Sequence, residues 1–141
     1  MNNPHHYTPG KPWIDGEPSR VHIHDPNKLG TWMLLNTYCG TITIEKDAFF
    51  GQRCMLLAGG HDITMKNSQR FALSRDRKDI LIKEGVFVGS GAIIIGPCTI
   101  GEHAVIGAGS VVLPGVYRGG CVYAGNPAKF KKEIEFQRLH K

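Results

Sequence analysis

Histidine is the side chain best suited to take and return a proton near neutral pH, and this chain holds seven. His22 and His24 alternate, so on a strand they share one face and could together grip a metal. No cysteine or second histidine pair stands near them to complete a ligand set, which favours an exposed edge pair. His5 and His6 lie in a Pro-, His- and Gly-rich opening stretch and carry little signal. His61 is followed at once by Asp62, and His103 sits where a turn is expected. Four cysteines, Cys39, Cys54, Cys98 and Cys121, show no C-x-x-C spacing. Six Lys/Arg against two acids fall between Arg118 and Lys141, and six against three between Asp62 and Lys83. Such basic runs attract phosphorylated small molecules, nucleic acid or membrane surface.

What must position these groups is legible as a period of six. Apolar residues recur at Tyr38, Ile44, Phe50 and Leu56, then at Ile82, Val88, Ile94, Ile100, Ile106 and Val112. Four residues after each stands a mostly small side chain: Ile42, Ala48, Cys54, Gly60, then Val86, Ala92, Cys98, Ala104, Ser110 and Val116. This period suits neither an amphipathic helix nor a plain alternating strand. It suits a flat-sided coil, each side one short strand and one turn, stacked into an all-β parallel β-helix. Large residues fill the middle of each side, and small ones sit near the corners. Cys54 and Cys98 on small positions therefore read as core packing.

The chain divides accordingly. Residues 1–20 read as an N-terminal arm, irregular or shortly helical, and 21–126 as the β-helix, its early rungs irregular. From Leu56 to Ile82 the register slips, so 62–79 reads as an extruded polar loop, and His61 is the last residue before it. "AGNPAKF" breaks the coil through Gly125 and Pro127, and 127–141 reads as a short basic helix with Phe130, Ile134 and Leu139 on one side. At 141 residues a single domain is expected. No apolar run reaches the 18 or so residues that span a bilayer, and no signal-peptide pattern opens the chain. Those features and the absence of disulfide spacing imply a cytoplasmic protein without membrane insertion. Aromatics are not interleaved with the basic residues, which argues against nucleic acid.

The hexads joined to "LLAGGHDI", "IGAGSVV" and "YAGNPAKFKK" resemble the hexapeptide-repeat acyltransferases, whose fold is a left-handed parallel β-helix. Within that superfamily the chain is similar to the maltose and galactoside O-acetyltransferases and to the acetyltransferases of polysaccharide and lipopolysaccharide synthesis. The resemblance covers roughly 40–132. It implies a homotrimer with active sites in the clefts between neighbouring prisms, acetyl-CoA as donor, no metal, and a small-molecule or glycan hydroxyl as acceptor. By this resemblance His61 is the general base and Asp62 a candidate acceptor contact, with a loop-entry hydrogen bond as its plainer role. Ser90 matches a position whose backbone amide meets the thioester region, and Ala108 one whose backbone contacts the pantetheine arm. Lys129 and Lys132 match basic positions that meet the CoA phosphates. Leu113 and Pro114 stand where the family commonly has Thr-Lys, a departure on the donor side. Asn36 is the acceptor-side candidate, against a turn role; Trp32 could stack on a sugar, although core packing is the expectation.

Other readings weigh less. A γ-type carbonic anhydrase needs three converging histidines, and only His61 and His103 fall in the regular repeat. A non-catalytic β-helix scaffold has no use for His61 and its loop. N-acylation of an amino sugar nucleotide would use the same histidine.

Overall fold

The computed structural model describes residues 11–139. Three parallel sheets wrap around a single apolar interior, and successive strands of the chain visit them in turn. The first sheet stacks β1 (Trp13–Asp15), β3 (Leu34–Asn36), β6 (Met55–Leu57), β9 (Ile93–Ile95) and β12 (Val111–Val112). The second stacks β2 (Val21–Ile23), β4 (Ile42–Ile44), β7 (Ile80–Ile82), β10 (Cys98–Ile100) and β13 (Gly115–Tyr117). The third stacks β5 (Phe49–Phe50), β8 (Phe87–Val88), β11 (Val105–Ile106) and β14 (Cys121–Gly125), and ends on β15 (Ala128–Glu133). No α-helix occurs among the described residues; the helical pieces are short 3-10 turns at Pro18–Arg20, Pro26–Lys28 and Asn67–Phe71.

The hexad logic explains the core. Ile44, Phe50, Leu56, Ile82, Val88, Ile94, Ile100, Ile106 and Val112 are all buried, with Ala48, Cys54, Val86, Ala92, Cys98 and Ala104 packed at the corners. Each large side chain removed from water contributes about 1.5–3 kcal/mol. Burial pushes the Cys98 thiol up to about 12, consistent with inert packing. Among the described residues the buried hydroxyls are satisfied: Thr37 donates to the Glu17 carbonyl at 3.0 Å, Ser110 to that of Gly107 at 2.7 Å and Tyr123 to that of Arg118 at 2.8 Å.

Four expectations are corrected. The helix expected over 127–141 is absent from the described part of that stretch, where β15 runs antiparallel to β14 as a hairpin; residues 140–141 lie outside the described residues. A solenoid's last coil leaves a row of unpaired backbone groups, and a returning strand satisfies them where a helix could not. Tyr38 and Val116 are outward positions, 46% and 85% exposed, because the coils near them are not multiples of six long. Trp32 is also exposed, at a turn with φ 59°. The last part of the stretch read as an arm belongs to the first coil, since Trp13–Asp15 pairs in register with Leu34–Asn36. The remainder of that arm, including His5 and His6, lies outside the described residues.

Candidate active site

The long insertion leaves the coil at the corner between the first and second sheets, after β6, and returns at β7. A short antiparallel clasp closes its base: His61 bridges Leu73, the Asp62 amide donates to the Ala72 carbonyl at 2.9 Å, and the Ser74 amide to that of Gly60 at 2.9 Å. His61 is held in this clasp. Its Nδ1 lies 2.8 Å from the Phe71 carbonyl oxygen, and its ring stacks on the Phe71 ring with centroids 5.2 Å apart. A carbonyl oxygen can only accept, so Nδ1 carries a proton, and in the neutral ring Nε2 presents its lone pair.

Beneath His61 is a cavity of about 570 Å³ lined by Asp15, Asn36, Tyr38, Leu57, Gly59, Gly60, Phe71 and Leu73 together with His61 itself. Register builds its floor. Asp15 pairs with Asn36 and Asn36 with Leu57, so three successive rungs present one outward column. Asp15 thus lies two rungs, about 10 Å, from the coil that carries His61. The Asp15 carboxylate raises the Tyr38 phenol above its ordinary value. Asn36 Oδ1 accepts the Tyr38 amide at 3.1 Å. A Cβ on Gly59 would stand 2.1 Å from that same oxygen, so the first glycine of "GGHD" makes room for the Asn36 amide. Sequence does not mark Asp15, and marks Tyr38 only as an apolar position of the repeat. The signal was a spacing: Asp15, Asn36 and Leu57 follow one another at 21 residues, one coil each.

Asp62 is not among the cavity's lining. Its carboxylate accepts the Thr64 amide and hydroxyl, which hold it below the usual carboxylate range. That is the loop-entry role.

The other candidates line up elsewhere, at the corner between the third and first sheets. The Gly91 amide donates to Gln52 and the Gly109 amide to Ser90, each at 2.8 Å, so these turns stack on one another. Close approach fixes the glycines between them: a Cβ on Gly51 would meet Ser90 Oγ at 2.3 Å, one on Gly89 the Ala108 nitrogen at 2.5 Å, and one on Gly107 the Ala124 Cβ at 2.8 Å. Ser90 and Ala108 are exposed, and their amides donate to no main-chain carbonyl among the described residues. Ala124 pairs with Lys129 on β15, which extends the strip. Lys132 pairs with Val122 while Phe130 pairs with Tyr123, leaving Lys131 as an extra, bulged residue. Two residues three apart on a plain strand face opposite ways; the bulge puts Lys129 and Lys132 on one face. Ser90, Ala108, Lys129 and Lys132 therefore form one edge, on a different corner from His61 and Asn36. Leu113 is exposed in the turn after β12.

His22 and His24 border a separate open cleft on the second sheet, with Glu45, Lys46, Glu84 and Glu102. No group of three or more His, Cys, Asp or Glu among the described residues could hold a metal ion. His103 takes φ 58° in a turn and meets the Phe136 ring edge-on at 6.0 Å. No helix among the described residues is long and apolar enough to cross a membrane.

Comparison with known proteins follows the same lines. Residues 79–114 match the family described as bacterial transferase hexapeptide (six repeats). Serine acetyltransferase 3, mitochondrial, of Arabidopsis thaliana is 37% identical over 109 residues, which are 77% of this chain and 26% of that protein. The chain spans between a quarter and two-fifths of the length of such curated relatives. Among solved structures, a maltose O-acetyltransferase from Clostridium difficile 630 superposes with TM-score 0.60 at 24% identity, over 89% of this chain and 68% of that one. A variant of AntD, an N-acyltransferase from Bacillus cereus solved with dTDP-4-amino-4,6-dideoxyglucose and coenzyme A, gives TM-score 0.62 at 16% identity, over 87% and 84%. Repeat, coil and superposition agree on the fold: the chain carries the hexapeptide repeat over residues 79–114 and folds as a left-handed parallel β-helix.

Proposed function

We propose that the protein is an acetyltransferase moving an acetyl group from acetyl-CoA to a hydroxyl of a sugar or glycan precursor. The observation that carries this reading is the His61 ring, its Nδ1 proton committed to the Phe71 carbonyl and its Nε2 without a hydrogen-bond partner among the described residues. His61 Nε2 takes the acceptor hydroxyl proton as the oxygen attacks the thioester carbonyl carbon. As the C–S bond breaks, the imidazolium returns that proton to the departing thiolate, giving an acetyl ester and free thiol. Asn36 and Asp15 supply polar contacts to the acceptor. On the donor side, the Ser90 amide stabilises the developing oxyanion, and the Ala108 amide bonds the pantetheine arm. Lys129 and Lys132 meet the nucleotide phosphates as point charges.

Because His61 and the donor edge occupy different corners of one chain, the complete site requires two copies, and a homotrimer closes such contacts. A second acceptor, the hydroxyl of a free amino acid, is favoured by the 37% identity to a serine acetyltransferase. His61→Ala is expected to lower thiol release from acetyl-CoA, in the presence of acceptor, by about 10²–10⁴-fold while leaving CoA affinity intact. Undiminished transfer in that variant would overturn the reading. A screen of sugars, amino sugars, sugar nucleotides and serine identifies the acceptor.

A further inference from the structure

Resting on the acetyltransferase reading, we propose that the acceptor bears an anionic group, a carboxylate or a phosphate, and that Lys78 seats it. Lys78 is the residue through which the loop re-enters the coil, just before β7. Its amide donates to the Cys39 carbonyl at 3.1 Å, which fixes its backbone. Its aliphatic stem turns back over Gly60: a Cβ there would stand 3.2 Å from Lys78 Cε and 3.7 Å from Cδ. Gly60 lines the acceptor cavity and immediately precedes His61, so Lys78, which is not itself among the lining residues, neighbours the cavity through Gly60. The second glycine of "GGHD" thus admits a lysine beside the base, as the first admits Asn36.

The ammonium is not consumed by the protein. The ion pairs among the described residues are Arg77–Asp79 at 2.8 Å and Arg118–Glu133 at 3.1 Å, neither involving Lys78. Asp62 is engaged by Thr64, and Arg70 donates to the Met65 carbonyl. A cation on a half-buried residue beside a cavity, with no counter-ion among the described residues, is matched by an anion brought with the ligand. Asp15, on the first coil, marks the other end of the cavity. A negative end and a positive end orient an acceptor whose donor group points to Asp15 and whose anion points to Lys78.

The test uses acceptors paired by charge: serine with serinamide and galacturonate with galactose for the carboxylate, glucosamine 6-phosphate with glucosamine for the phosphate. The charged member of one pair is expected to show a KM about tenfold lower, and the pair that does so identifies the anion. Lys78→Gln should erase that preference by raising KM for the charged member alone, with kcat and the KM for acetyl-CoA unchanged, and Lys78→Arg should restore it. Equal KM within every pair, or equal effects of Lys78→Gln on charged and neutral members, would overturn the proposal. Independently of turnover, titrating the trimer with acetate or inorganic phosphate should shift the His61 ring resonances saturably in the wild type and not in Lys78→Gln. Absence of any saturable shift would also overturn it. Calorimetric binding of CoA, and thiol release sensitive to His61→Ala, report separately on the acetyltransferase reading.

Discussion

At His61 the roles of the two ring nitrogens are set by a main-chain carbonyl, which no side-chain substitution removes. What substitution can disturb is the packing around the ring and the floor beneath it. Gly59 is the sharpest instance, since Asn36 Oδ1 occupies the place of its absent Cβ. Gly59→Ala is expected to cost about 1–3 kcal/mol by overpacking and to raise the acceptor KM. In an Asn36→Ala background the same change should cost clearly less, because the clash is gone. Urea denaturation of the four proteins measures that coupling; additive costs would show that the Asn36 side chain does not lie over Gly59. His61 stood out in the sequence because it precedes the register slip. Asp15 did not, since it lies far from His61 along the chain and reaches the cavity only through strand register.

At the scale of elements, the loop matters through its two feet. One is the clasp at His61. The other is Asp79, which accepts the Thr41 amide at 2.8 Å and the Arg77 guanidinium at 2.8 Å. Gly40 leaves the space for it, as a Cβ there would sit 2.7 Å from Asp79 Oδ1. Burial pushes the Asp79 carboxyl up, but the bonds from Thr41 and Arg77 outweigh it and hold the group below the ordinary range. A carboxyl depressed in the folded state stabilises above its unfolded value, and that stabilisation is lost as the pH falls through the folded value. Asp79→Asn should therefore be less stable than wild type by about 1 kcal/mol at neutral pH. The gap should close in acid, which melts at both pH values check; a gap independent of pH would assign the effect to shape alone. Coil positions were readable from sequence where rungs are regular: Ile93 pairs with Val111, 18 residues along. Tyr38 was misplaced because Leu34 pairs with Met55, 21 along, so its coil carries extra corner residues. The C-terminal strand was misread because the spacing of Phe130, Ile134 and Leu139 mimics a helical face. Its actual partner, the open edge of β14, is a property of the stack and of no local segment.

Seen as a whole, the molecule keeps the proposed base and the proposed donor edge apart. His61 and Asn36 stand at the corner between the first and second sheets, and Ser90, Ala108, Lys129 and Lys132 along the corner between the third and first. The outward face of the first sheet carries Leu34, Met55, Ile93 and Val111 in one register column, an apolar surface suited to a second copy. Closed threefold symmetry would then bring one chain's histidine to the next chain's donor edge. The most direct measurement mixes two inactive proteins, His61→Ala and the double variant Lys129→Glu/Lys132→Glu, after dissociation and reassembly at equal ratio. Random assembly leaves about one interface in four with both halves intact, so acetyl transfer should return to roughly a quarter of the wild-type rate. Reassembled mixtures that stay as inactive as either parent would contradict a site shared between chains.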